Sequence, residues 1–166
     1  MVRRSSVSYL DRLYASLTYL LPIAAVVIFG AFLFIQFPPL LIVFLPVIKL
    51  NQILSISIID FISIRFVTWF CVFIFVVRSY KVNHFTRFNA MQALLLDIVV
   101  ALVGAIAELL SVILGKVAFF PFVLQIIASV TFLGITAAFA YSVFQCIRGK
   151  YAEMPVISDV AYYQVR

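Results

Sequence analysis

HFTRFNAMQALLLDIVVAL, His84 to Leu102, leaves a basic, polar loop, turns apolar, and still carries an amide at Gln92 and a carboxylate at Asp97. Read as a helix at about 100° per residue, it places Asn89, Ala93, Asp97, Ala101, Gly104 and Glu108 on one face, in steps of four, four, four, three and four. Asp97 and Glu108 project within about 20° of each other, about 16 Å apart along the axis. Gln92 flanks the same face, and Leu94, Leu95, Ile98, Val99, Leu102 and Val103 cover most of the rest.

The surrounding composition says what that face must meet. Of 166 residues, 66% are hydrophobic and only 11% charged, with a mean hydropathy of +1.23; a soluble domain averages about 25% charged residues. The chain is therefore expected to be an all-α integral membrane protein. A carboxylate at mid-bilayer costs about 2.5–3.5 kcal/mol on insertion scales, so the stripe should face protein or water. Its small residues would let another helix approach closely.

Three readings stay open. The stripe is a packing seam, with Asp97 bonded to a hydroxyl such as Thr131, Thr136 or Tyr141; or a water-filled path or partner-docking face; or a proton relay. Glu108 also suits a solvated position near the far interface.

Around this segment, spans of about 20 helical residues are expected at 17–36, 61–77, 90–114 and 120–147. They form a four-helix membrane domain over 17–147, between a basic N-terminal segment, 1–16, and a tail, 148–166. QFPP, Gln36 to Pro39, should close the first span. LLIVFLPVIKLNQIL, Leu40 to Leu54, is too short to cross and is interrupted by Pro46, which suggests an interfacial or re-entrant segment. Asp60 and Thr86 are the expected N-caps of the second and third spans, and Arg65 should snorkel towards the interface.

Four crossings put both termini and the middle loop on one side. That side carries Arg3, Arg4, Arg12, Arg78, Lys81, Arg87, Arg148, Lys150 and Arg166, against Lys49, Arg65 and Lys116 on the other. By the positive-inside rule both termini face the cytoplasm or its organellar equivalent. The leading apolar stretch is long enough to be a retained helix and not a cleaved signal, with Arg3 and Arg4 as its topology anchor.

Little else carries chemistry. Cys71 and Cys146 stand apart within or at the end of apolar runs and read as small hydrophobes. The single His84 builds no metal site, and no nucleophile, base and orienter cluster together. Neither catalysis nor a cofactor is expected. The net charge of +6 is scattered over loops and termini, so nucleic acid is not an expected partner.

Arg87, Phe88, Asn89, Gln92, Ala93 and Asp97 spell R-F-N-x-x-Q-A-x-x-x-D, which resembles the twenty-kilodalton Tic family: inner-envelope translocon subunits of chloroplasts and their cyanobacterial and plastid-encoded relatives. The tail PVISDVAYYQV, Pro155 to Val165, is similar to that family's closing I-S-D-A-A-Y-x-Q through Ile157, Ser158, Asp159, Ala161, Tyr162 and Gln164. VVRS, Val76 to Ser79, also fits. Val160 stands where the family often has Ala, and Ser79 where it usually has Asn. The resemblance runs from the first helix to the tail.

It implies a four-helix protein with stromal termini, acting as a core membrane subunit of protein import. Its partners would be membrane lipid, other translocon subunits and precursor proteins in transit, with a homo-oligomer also open. Arg87, Asn89, Gln92 and Asp97 would then form the stromal entrance and polar face of the third span. No transit peptide is recognisable, which under this resemblance suggests a cyanobacterial or plastid-encoded member.

Overall fold

The computed structural model describes residues 7–60, 62–155 and 157–165. Arg3, Arg4 and Arg166 of the charge count, and Phe61 at the expected start of the second span, lie outside the described residues. Among the described residues, three helices are long and apolar enough to cross a membrane: α1, Tyr9–Gln36, α4, His84–Leu114, and α5, Phe120–Ile147. Shorter apolar helices, α2, Pro38–Leu54, and α3, Ile64–Val77, lie between the first two. The tail ends in α6, Ile157–Gln164.

The first long helix starts eight residues before Leu17 because Ser8 and Asp11 form a capping box: each side chain binds the other's backbone end of the turn. The helix is interrupted at Tyr19. Pro22, with no N–H to offer the Thr18 carbonyl, accounts for that break. It ends at Phe37, before Pro38 and Pro39, as the prolines lead one to expect.

The next stretch corrects the sequence reading. Pro46 does not break the segment after QFPP; Pro38–Leu54 is one helix of 17 residues with Pro46 inside it. Proline removes one hydrogen bond there, and the flanking turns carry the helix on. A two-stranded antiparallel hairpin, β1, Ser57–Ile59, and β2, Ile62–Ser63, follows. Ser63, not Asp60, caps α3, its hydroxyl accepting from the Phe66 N–H. The helical part of the expected second span is thus Ile64–Val77, closing in a wide π turn over Val72–Val77. Those fourteen residues reach only about 21 Å, short of a hydrocarbon core about 30 Å thick.

The helix of the expected third span, α4, begins at His84 instead of Ala90, capped by Asn83, whose side chain accepts from the Phe85 N–H at 3.3 Å. Thr86, the expected cap, lies inside the helix and donates to the Asp11 carbonyl at 3.3 Å. Asp11 also accepts from the Asn83 amide at 3.1 Å. Arg12 donates to the Ile147 carbonyl at 3.2 Å, filling an open acceptor at the C-terminus of α5. Directly beyond, Gly149 holds φ at +69°, and a Cβ added there would come within about 3.1 Å of the Arg12 guanidinium, a backbone conformation that favours glycine. The starts of α1 and α4 and the end of α5 therefore meet at one end of the bundle.

At the other end, Phe34, Phe44 and Phe132 form a triangle with ring centroids 5.1–5.8 Å apart. A Cβ on Gly30 would come within 2.9 Å of both Phe34 and Phe132, so glycine lets α1 and α5 close up there. Hence α1 and α4 run parallel, α5 runs against both, and the return leg is made by α2, the hairpin and α3. Lipid tails are as apolar as this interior, so apolar burial alone does not select one packing over another. Polar ties inside the bundle carry that choice.

Candidate functional site

Inside the bundle, Asn89 and Gln92 are wholly buried. The Tyr19 hydroxyl, at the interruption of α1, lies 3.1 Å from Asn89 Oδ1 and 3.0 Å from Gln92 Oε1, one proton facing two acceptors. Asn89 Nδ2 donates to the Phe85 carbonyl at 2.9 Å, and Cys146 Sγ donates to Asn89 Oδ1 at 3.3 Å. Gln92 Nε2 donates to Ser158 Oγ at 2.7 Å; Ser158 also receives the Met154 N–H. The two strings that carry the family resemblance, one in α4 and one in the tail, thus meet in one hydrogen-bonded cluster that joins α1, α4, α5 and α6.

The rest of the tail string divides between core and surface. Ala161 is buried in the core cluster that holds Phe88 and Leu94, and Ile157 packs on the other core cluster. Tyr162 lies over Phe88 at 4.4 Å and donates to Glu153 at 3.3 Å. Tyr151 meets His84 Nδ1 at 3.1 Å. Burial pushes both phenols above their ordinary range, with the Glu153 carboxylate adding to the effect on Tyr162. Both stay neutral at physiological pH. Asp159 is exposed and has no partner among the described residues. Gln164 lines a cavity of about 200 Å³ together with Arg87, Arg78 and Tyr80.

Arg87 is nearly buried and faces the loop between α3 and α4. Its Nε donates to the Val77 carbonyl at 2.8 Å, and its guanidinium lies over the Tyr80 ring at 5.3 Å. It therefore ties the end of α3 to α4.

Asp97 sits thirteen residues, about 20 Å, into α4. Its partner is none of the expected hydroxyls. Thr131 donates to the Ile127 carbonyl and Tyr141 to the Glu153 carbonyl, while the buried Thr136 hydroxyl has no partner among the described residues. Asp97 Oδ1 pairs with Arg65 Nη1 at 3.2 Å, and Arg65 Nη2 donates to Asn51 Oδ1 at 2.7 Å. The side chains are 21% exposed for Arg65 and 8% for Asp97. Arg65 therefore does not snorkel to the interface; a cation inside an apolar segment is drawn to a carboxylate at matching depth. The trio borders a cavity of about 250 Å³ that Ala101 and Gly104 also line.

Glu108, eleven residues further on, is exposed and has no partner among the described residues. The stripe inferred from sequence is thus three environments: a sealed cluster at Asn89 and Gln92, an ion pair beside a cavity at Asp97, and an open face at Glu108. Among the described residues, no three His, Cys, Asp or Glu side chains gather where they could hold a metal ion. The reading from sequence missed Tyr19, Cys146 and the Arg65–Asn51 partners. One signal was present: Arg65 and Asp97 are each sixteen residues from Lys81, so two antiparallel helices joined there bring them level.

Comparison with known proteins agrees with this geometry. The family described as "Chloroplast import apparatus Tic20-like" matches residues 4–161. A "Tic20 family protein" of Synechocystis sp. is 36% identical over 167 positions, covering 100% of this chain and 99% of that one. "Protein TIC 20-II, chloroplastic" of Arabidopsis thaliana is 29% identical over 93% of this chain and 72% of its own length. "Tic20 family protein Ycf60" of Porphyra purpurea is 31% identical over 60% of this chain and 48% of its own. With a match that takes in nearly every helix described above, the chain belongs to the Tic20-like family of the chloroplast import apparatus.

Proposed function

We propose that this chain is a membrane subunit of a protein-import translocon of the chloroplast inner-envelope type, contributing to the passage taken by precursor proteins. The family match over residues 4–161 carries the proposal. Its partners are other translocon subunits, precursors in transit and the surrounding lipid. Its site is the plastid inner envelope, or the plasma or thylakoid membrane in a cyanobacterium. The return leg supplies the fourth crossing, with α2 and the hairpin supporting the short α3. Both termini lie on the stromal or cytoplasmic side. The shared end of α1, α4 and α5, where Arg12, Arg87 and Arg148 cluster near the chain ends, supports that orientation.

The mechanism is passive. A moving precursor exposes backbone groups that cost several kcal/mol each if unsatisfied in lipid. Arg65, Asp97 and Asn51, with Glu108 further along, offer donors and acceptors at successive depths. Asn89 and Gln92 contribute from beneath, by holding α4 against α1 and the tail, and Arg87 fixes the loop at the entrance. Any driving energy comes from a partner. A second reading, a structural or assembly subunit, is favoured by the Asn89–Gln92 cluster, which ties four elements of the chain into one packed unit.

Ala101 is exposed and lines the same cavity as Asp97, which makes it a better position for a photo-crosslinking residue than the sealed Gln92. In native membranes, an adduct at Ala101 that forms only with an arrested precursor is the expected result. A fixed adduct to a neighbouring subunit, indifferent to precursor, would make the protein a scaffold.

A further inference from the structure

A cavity of about 590 Å³ lies away from the Asp97 site, between α1, α2 and α3. Its walls are Leu17, Leu20 and Leu21 of α1, Leu54 of α2, and Val72 and Val76 of α3. Five polar residues on its lining are already engaged. Thr18 and Thr68 donate to the carbonyls of Ala15 and Ile64 in their own helices. Thr86 donates to the Asp11 carbonyl, Asn83 donates to the Asp11 carboxylate, and that carboxylate also takes the Ser8 N–H.

Two polar groups on the lining remain without a partner among the described residues: the Lys81 ammonium and the Tyr14 hydroxyl. Both residues are exposed, both belong to the end where the loop leaves α3, and both can donate. A matching ligand is therefore negatively charged and accepting at one end, and apolar along the rest.

Its shape follows from the helices. From Asp11 to Leu21 the groove extends about 15 Å, half of a hydrocarbon core about 30 Å thick. Spread over that length, 590 Å³ corresponds to a mean cross-section of about 40 Å². A groove that slender, with leucine and valine walls, suits an extended acyl chain lying along it.

We propose that this groove is a lipid site: it takes one acyl chain of an anionic phospholipid from the leaflet on the loop side, with the phosphate at Lys81 and Tyr14. The site is independent of any role in translocation.

The full chain, purified in detergent and offered equimolar phosphatidylglycerol and phosphatidylcholine, tests this by native mass spectrometry. Phosphatidylglycerol should be retained about fivefold over phosphatidylcholine, the size of one cation's contribution near a membrane surface. Lys81→Gln should abolish the preference, and Lys81→Arg should keep it. Equal retention by the unaltered protein, or a preference that survives Lys81→Gln, overturns the proposal. Glycerol phosphate that competes as well as the whole lipid overturns the acyl part. Val72→Trp should lower retention of both lipids by filling the groove. Should that variant fail to fold, a phospholipid with a photoactivatable acyl chain takes its place: adducts are expected on Leu17–Leu21 or Val72, and adducts confined to other faces count against the site.

Discussion

The two halves of α4 differ as much as two separate helices would. From Phe85 to Leu94 every residue is buried, and its polar side chains bond to α1, the end of α3, α5 and the tail. From Ala101 onwards most residues are exposed, up to 82% at Val112. In sequence the contrast runs the other way: the buried half carries Thr86, Arg87, Asn89 and Gln92, while the exposed half is mostly apolar, with Glu108 its one charge, so hydropathy does not report which half is covered by protein. The difference lies in what is packed on each: the first half has neighbours on all sides, while the second borders the Asp97 cavity and then faces outward. A membrane helix can thus be a structural hub over three turns and an offered surface over the next three.

Substitutions should fall on opposite sides of that division. The largest effect is expected at its border. Asp97→Leu leaves the Arg65 guanidinium without its carboxylate and should cost about 3 kcal/mol, read as a loss of thermal stability in nanodiscs. Asp97→Asn should lose less, because an amide still accepts from Arg65. The double variant Arg65→Leu/Asp97→Leu should recover much of the loss. If the double variant is as unstable as the single one, the ion pair is not what holds α3 to α4.

In the sealed half, Gln92→Leu strips Ser158 and Tyr19 of a partner and should cost about 1–3 kcal/mol. Protease cleavage between Lys150 and Pro155 should quicken in parallel as α6 lifts away. Cleavage at the unaltered rate would separate the tail from the cluster. In the outer half, Glu108→Gln should move the stability of the isolated chain by no more than about 0.5 kcal/mol. Under the translocon reading it should still alter crosslinks to precursor or partner. A large loss of stability in the isolated chain would erase the contrast between the halves.

The sequence made some of this plain, for physical reasons. Prolines announce themselves locally, so the end of α1 at Phe37 was readable. Caps were less so. Asp60 and Thr86 are good capping residues in isolation, yet Ser63 and Asn83 serve instead, and Thr86 is taken by Asp11, 75 residues away. Pro46 misled because one missing hydrogen bond does not end a helix. Within the candidate site, the periodicity put Asn89, Gln92 and Asp97 on or beside one polar face, which the structure divides between a sealed cluster and an ion pair. It could not name their partners, since Tyr19, Arg65 and Ser158 come from three other elements. The R-F-N-x-x-Q and I-S-D strings could be read as two family signals; that they touch is a fact of three dimensions.

The link between Gln92 and Ser158 spans 66 residues, and that separation has a meaning in time. A ribosome adding about 5–20 residues per second needs roughly 3–13 s to go from one to the other. During that interval α1 and α4 are already available to pair in the bilayer, while the Gln92 amide waits for its acceptor. Biogenesis therefore passes through a half-closed bundle, and an insertase or chaperone that shields an exposed carboxamide for a few seconds would do most for this chain at that moment.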